Sequence, residues 1–433
     1  MHAKTKKIVS VGLIAALCSG MTLGMAGCGQ SDEANGKTVV TMIQYKQEAL
    51  DIFDEIQNDF NATHDDIYLQ IESPSDAMTI LKTRLIREEA PDIIGFGGDV
   101  NYSNFVDAGI LMDLSQTEVL KDVNPAYLDI LESLEYVPTE GTFGMPYAAN
   151  AAGMLYNKDM FKEHGWKIPT NWKEFTALCD QIQGEGIQPL YSGYKDTWTC
   201  LAPWNAIAIE LSPSDVCFQV SDGDTTFEKE YSEVADKIQA LLQYAEDGPF
   251  AYGYNDACMA FANGQSAMFA IGSYAVPQIL SSNPDMNIGS FVMPAADSEK
   301  ELILNSGIDL QFSISESCEH KDAALEVLKY LAEKDNVQNY ITAQNSVSCL
   351  LGDYETSPVL ENMMPYIEAG RMADFQDHHY PSEMAVDAMI QTFLIEGDKD
   401  AFLKKFDSNW ARYNRDVIKK VQDYTASHPS EGE

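Results

Sequence analysis

Apolar positions along the 433-residue chain switch between two periods, and each switch predicts an element. Residues 38–45, TVVTMIQY, form a β-rich run. Behind it Leu50, Phe53, Ile56 and Phe60 recur at helical spacing, and IYLQI at 67–71 returns to strand composition. The helix MTILKTRLIREE follows. Ala90-Pro91-Asp92 then leads into IIGF, an apolar run suited to a strand covered on both faces. Strand, helix, strand, helix, strand is the order of a doubly wound parallel sheet. Such sheets place ligands at the carboxyl ends of their strands, here Gln44-Tyr45 and Gly97-Gly98-Asp99.

Residues 144–175 predict a passage from one compact unit to the next. An extended run through Asn150 rises into Met154, Leu155 and Tyr156 as a buried strand, and Asn157 caps a short helix that Gly165 ends in the left-handed conformation. Asn171 with Glu174 reads as a capping box, followed by Trp172, Phe175, Leu178, Cys179 and Ile182 at helical spacing. Beyond it come the strand-like IQPLYSGY, the apolar stretch 197–211, a loop at 221–226, the helix EVADKIQALLQYAED, a helix over 255–261 and the strand SAMFAIGSY ending at Tyr274. IGSFVMP at 288–294 predicts a return to the first unit, which 302–315 and the helix DAALEVLKYLAE complete. From Ser346 a third passage leads into a helical remainder.

The run GMPYAANAAGMLYNKDMF, with a Pro-x-x-Trp-x-Glu-Phe helix start behind it, is similar to the first inter-lobe crossover of the extracellular solute-binding proteins of carbohydrate ABC importers, the maltose-binding-protein-like family 1. Gly264 through Tyr274 resembles that family's glycine, Ala-Met and Gly-x-aromatic pattern. The resemblance implies a two-lobed α/β fold of periplasmic-binding-protein type II, each lobe a mainly parallel sheet flanked by helices, with a helical C-terminal extension. It implies lobe 1 at 38–147 plus 293–346 and lobe 2 at 148–292 plus 347–433, hinged near Tyr147, Met293 and Ser346. The family usually has two glycines and a Trp near Gly307. Here the run is Asn305-Ser306-Gly307-Ile308-Asp309, which puts the cargo in question more than the fold.

The amino terminus and the charge sharpen the picture. A basic head (Lys4, Lys6, Lys7) and a short apolar run make residues 1–27 a signal peptide rather than a membrane span. Met25-Ala26-Gly27-Cys28 resembles a bacterial lipobox with Met where Leu is usual, and so implies a lipid anchor at Cys28, with 28–37 as a tether. Taking the three leader lysines from the formal charge of −39 leaves −42 for the mature chain. Acidity of that order argues against nucleic acid as a partner. The six cysteines beyond Cys28 show no close Cys-x-x-Cys spacing and read as free buried thiols.

Enzyme signatures fail on inspection. Gly264-Gln265-Ser266-Ala267-Met268 lacks the last glycine of a nucleophile elbow, and Gly95-Phe96-Gly97-Gly98 lacks the third glycine of a dinucleotide loop. His378-His379 has no spaced third ligand for zinc. No metal and no cofactor is expected. The positive signal is aromatic and amide side chains at strand ends, because a sugar needs rings for its C–H faces and polar groups for its hydroxyls. The rings assigned are Tyr45, Trp198, Trp204 and Tyr274. The backbone and polar set is Gln44, Asp99, Asn101, Asn150, Gly307, Asp309 and Asp377. Trp204 reads equally as core, and Asp99 equally as a helix cap. The expected protein is a monomeric, lipid-anchored binding protein on the outer face of the membrane, delivering a carbohydrate to an ABC permease. A polyamine-like cargo and a secreted carbohydrate-active enzyme are the alternatives.

Overall fold

A six-stranded sheet forms the first lobe in the computed structural model, which describes residues 36–429. The expected signal peptide, the anchor at Cys28 and most of the tether lie outside the described residues. The strands are β1 (Thr38–Gln44), β2 (Ile67–Glu72), β3 (Ile93–Phe96), β4 (Met145–Ala149), β5 (Met154–Asn157), β6 (Met268–Phe269), β7 (Ile288–Phe291), β8 (Leu304–Asn305), β9 (Ile308–Ile314), β10 (Val347–Ser348) and β11 (Met372–Ala373). The first sheet runs β10-β4-β9-β3-β1-β2. Its β2-β1-β3 half is parallel, as the sequence pattern predicts. The β3-β9, β9-β4 and β4-β10 pairs are antiparallel.

The first sheet is therefore mixed rather than mainly parallel, for a topological reason. Chain that leaves the lobe at the end of the sheet where β4 stops re-enters at that same end as β9, so β9 runs against its neighbours β4 and β3. The second lobe's sheet, β6-β5-β7, is antiparallel throughout. The helix Leu50–Thr63 buries Phe53, Ile56 and Phe60 against the first sheet, while Leu50 stays 38 % exposed.

The lobes meet where three passes of chain lie side by side. Asn150 N donates to Gly307 O (3.0 Å), Ala152 N to Asn305 O (2.8 Å), and Ser306 N to Ala373 O (3.0 Å). β8 and β11 pair in parallel in this junction. The chain stays in the first sheet through β10, beyond the passage expected at Ser346.

The carboxyl-terminal helices, expected as an extension, are core. Phe402, Phe406 and Trp410 of Lys399–Tyr413, and Met389, Ile390 and Phe393 of Val386–Glu396, pack into the second lobe's largest apolar cluster. The six body cysteines are free, and all but the half-buried Cys217 are buried.

Candidate functional site

β1 ends at the lobe junction and delivers Gln44, Tyr45 and Lys46 there. Gln44 is fully buried. Its Nε2 donates to Lys46 O (3.0 Å) and Ser73 Oγ (2.6 Å), and its Oε1 accepts from Lys46 N (2.5 Å), so it shapes the loop and has no face left for a ligand. Tyr45 OH donates to Asp309 O (2.5 Å), an approach that the bare Gly97 permits, since a Cβ there would sit 3.3 Å from the hydroxyl. Asp309 Oδ1 accepts from Lys46 Nζ (3.0 Å) and Asn150 Nδ2 (2.9 Å), and Glu48 also holds Lys46 (2.7 Å). Burial alone would pull the Lys46 ammonium down, but Asp309 and Glu48 outweigh it and the group stays charged. Tyr45, Lys46, Asn150 and Asp309 thus form one polar network on the first lobe.

Asp99 caps the helix Val100–Asp107. Its Oδ1 accepts from Asn101 N (2.8 Å) and Asn101 Nδ2 (2.9 Å), so these two expected ligand residues hold each other. Asp99 still faces the junction, because it acts on groups from three other segments. Burial and then the charge of Asp99 push the Tyr136 hydroxyl up to about 12. Tyr45 is raised by burial, Asp309 and Asp99 in that order. His378 belongs to the third segment. Its Nδ1 lies 2.8 Å from Asp374 Oδ1, and the Asp374 charge overrides burial to raise the imidazole to about 10, with Asp377 and Asp99 assisting.

The second lobe contributes rings. Trp198, on the 3-10 turn Thr197–Cys200, is 40 % exposed, with its ring centroid 4.9 Å from that of Tyr254 and 6.3 Å from that of Tyr274. Asp196 Oδ2 accepts from Tyr254 N (2.7 Å) and fixes the two segments together. Tyr274 stands on a 3-10 turn, Ser273–Ala275, instead of ending a strand. The bare Gly272 leaves room for its ring to fold back, since a Cβ there would lie 2.4 Å from it. Asp377 is tied to Asn205 in both directions, Asn205 Nδ2 to Oδ1 (2.6 Å) and Asp377 N to Asn205 Oδ1 (3.1 Å), and burial raises its carboxyl. Gly307 admits Asp374 and Phe375, because a Cβ would meet Asp374 Oδ1 at 2.2 Å.

Trp204 corrects the expected set. It is fully buried with its ring against Tyr231, Phe402 and Phe406, and offers nothing to a cleft. The other residues trace a path across the junction, Trp198 to Tyr274, then Asp377 and His378, then Asp99 and Tyr45, each electrostatically or physically next to the one before. His378 on this path, and Lys46, Tyr254 and Asp374 beside it, were not anticipated as ligand residues. Lys46 directly follows the first strand end, the position that pointed to Gln44 and Tyr45. The arrangement offers open rings on one side and a fixed polar network on the other, which suits stacking and hydrogen bonding of a polyhydroxylated solute.

A separate cavity of about 690 Å³ also lies between the lobes. Its walls come from Ile130, Leu134 and Tyr136 on one side and Phe218, Trp410 and Val421 on the other, and none of the eleven expected ligand residues lines it.

Comparison with known proteins bears on the fold and the family. The chain is 27 % identical over 391 residues to the multiple sugar-binding protein of Streptococcus mutans, covering 87 % of this chain and 88 % of that one. It is 21 % identical over 341 residues to an ABC transporter extracellular-binding protein of Pyrococcus horikoshii, covering 72 % and 77 %. Among solved structures, apo RafE of Streptococcus pneumoniae aligns with a TM-score of 0.76 at 24 % identity over 89 % of this chain and 98 % of that one. RafE in complex with raffinose aligns at 0.72 and 24 %, over 89 % and 100 %. The family model of the bacterial extracellular solute-binding proteins matches residues 46–338, and with that span, from the Lys46 network through both lobes, the chain belongs to this family.

Proposed function

We propose that this solute-binding protein captures a carbohydrate at the junction of its lobes and passes it to an ABC permease without chemical change. The observation that carries the reading is the exposed Trp198 ring, backed by the half-buried Tyr254 and Tyr274, together with the Tyr45-Lys46-Asn150-Asp309 network. The names of the relatives add support, sugar binding for the Streptococcus mutans protein and raffinose for RafE. A cationic cargo is the rival reading, because Lys46 and the raised His378 are matched there by the carboxylates of Glu48, Asp99, Asp309, Asp374 and Asp377.

The mature protein works as a monomer held at the outer membrane face through Cys28, and the lobes close on cargo about the three-stranded junction. Thermal denaturation against a panel of raffinose, maltotriose, xylotriose and spermidine tests the reading. At least one sugar raises the melting temperature, since a ligand that binds only the folded state stabilises it. A shift with spermidine alone overturns it.

A further inference from the structure

The 690 Å³ cavity lies within the range of volumes that hold small molecules. Its chemistry differs from that of the ring and network site. Asp129, Glu132, Glu135, Asp215 and Asp374 line it, and no lysine or arginine does. Three of these acids are exposed at its rim, Glu135 is half-buried, and Asp374 is buried at 5 % exposure. Apolar groups supply the body of the cavity, Ile130 and Leu134 from the first lobe and Phe218, Trp410 and Val421 from the second.

Asp374 provides the second observation. Its Oδ1 holds His378, but its buried Oδ2 has no hydrogen-bond partner, and a carboxylate oxygen left so is costly. The nearest basic atom, His379 Nε2, is 3.8 Å away, and burial first, with His378 assisting, lowers the His379 pKa, so that ring stays neutral. A donor brought in by a ligand would satisfy this oxygen.

We infer that this cavity is a second ligand site, taking a small organic ammonium ion whose charged head meets Asp374 and Glu135 and whose apolar body lies against Leu134, Phe218 and Trp410. The acid lining disfavours anions. Among the described residues no group of three acid, histidine or cysteine side chains is placed to grip a bare metal ion. Asp374 also belongs to the junction set, so Glu135, Leu134 and Phe218 are what set this cavity apart from the ring site.

Calorimetric titration of the mature protein with hexylamine and hexamethylenediamine, with hexanol and hexanoate as neutral and anionic controls, tests it. The two amines bind and hexanoate does not. Glu135→Gln weakens the amines roughly tenfold or more, as expected for losing a hydrogen bond to a charged group. Asp374→Asn does the same, and because it also disturbs His378, Glu135→Gln is the deciding variant. Trp198→Ala leaves amine affinity unchanged. Absence of amine binding, equal binding of hexanoate, or amine binding lost in Trp198→Ala and kept in Glu135→Gln each overturns the proposal.

Discussion

Trp198 and Trp204 occupy adjoining elements of the second lobe, the 3-10 turn Thr197–Cys200 and the helix Leu201–Leu211, yet one ring is 40 % exposed and the other is fully buried. Their flanks differ. Threonines border Trp198, whereas Trp204 enters a run in which Ala202 through Ile209 are all buried, so the helix has no polar face at its centre. Their covers differ more. The Trp198 ring has Tyr254 and Tyr274 on one side and solvent on the other. The Trp204 ring is enclosed by Tyr231 at 5.2 Å and by Phe402 and Phe406 at 5.6 and 6.2 Å, supplied by a helix from the far end of the chain. Identical side chains thus stand in opposite settings, one open to solvent and proposed to meet the solute, the other locking the carboxyl-terminal helices into the lobe.

Breaking the enclosed ring gives the largest effect. Trp204→Ala removes the centre of an aromatic cluster and leaves a cavity, a change that costs about 3–5 kcal/mol in well-packed cores. Urea denaturation should show the second lobe losing stability by that order. A variant as stable as the parent would mean the cluster can collapse around the gap, and the contrast would fail. Trp198→Ala should act in the other sense. A stacking ring at the centre of a site is worth about 2 kcal/mol of binding, so affinity for the sugar found by the panel falls by roughly tenfold or more. With one face already in water, the ligand-free protein keeps its melting temperature. Lost stability with retained affinity would move Trp198 into the packing class.

Local chemistry in the sequence carried much of the fold. Asn157 does accept from Asp159 N and Met160 N, and Gly165 does end that helix at φ 71°. The Asn171 cap forms as well, although Glu174 Oε2 reaches Thr170 N and Oγ1. These features are settled within a few residues, where spacing is informative. Strand direction is different, because β9 and β10 acquire their antiparallel sense only from where the chain re-enters the lobe. The candidate site was legible at Tyr45, Asn150, Trp198 and Tyr274, which the fold brings to the lobe junction and where an aromatic or polar residue punctuates an apolar run. Gln44 and Trp204 look the same in such a run, and what removes them is contact with Ser73 and with Phe402, distant in sequence. The 690 Å³ cavity left no signal, since its walls come from five separate stretches.

The smallest effect compares the two open sides through pH. Burial lowers the His378 pKa, but the charge and hydrogen bond of Asp374, together with the charges of Asp377 and Asp99, outweigh it and raise the folded value to about 10, above the ordinary histidine value. A histidine raised on folding contributes stability that is complete below its unfolded pKa, near 6.5, and is lost as pH climbs from there through about 10. His379 shifts the opposite way, so its contribution changes only below that window and does not obscure the test. With the His378 side chain 24 % exposed, solvent screening trims the slope below its ceiling of roughly 1.4 kcal/mol per pH unit. The denaturation midpoint of the parent should therefore fall relative to that of His378→Gln between pH 7 and 8 (about 1 kcal/mol or less). Trp198→Ala should follow the parent throughout, because the ring group carries no charge in that range. Parallel curves for parent and His378→Gln would show that the Asp374 pair does not hold the proton, and with it would go one of the two positive charges placed at the junction.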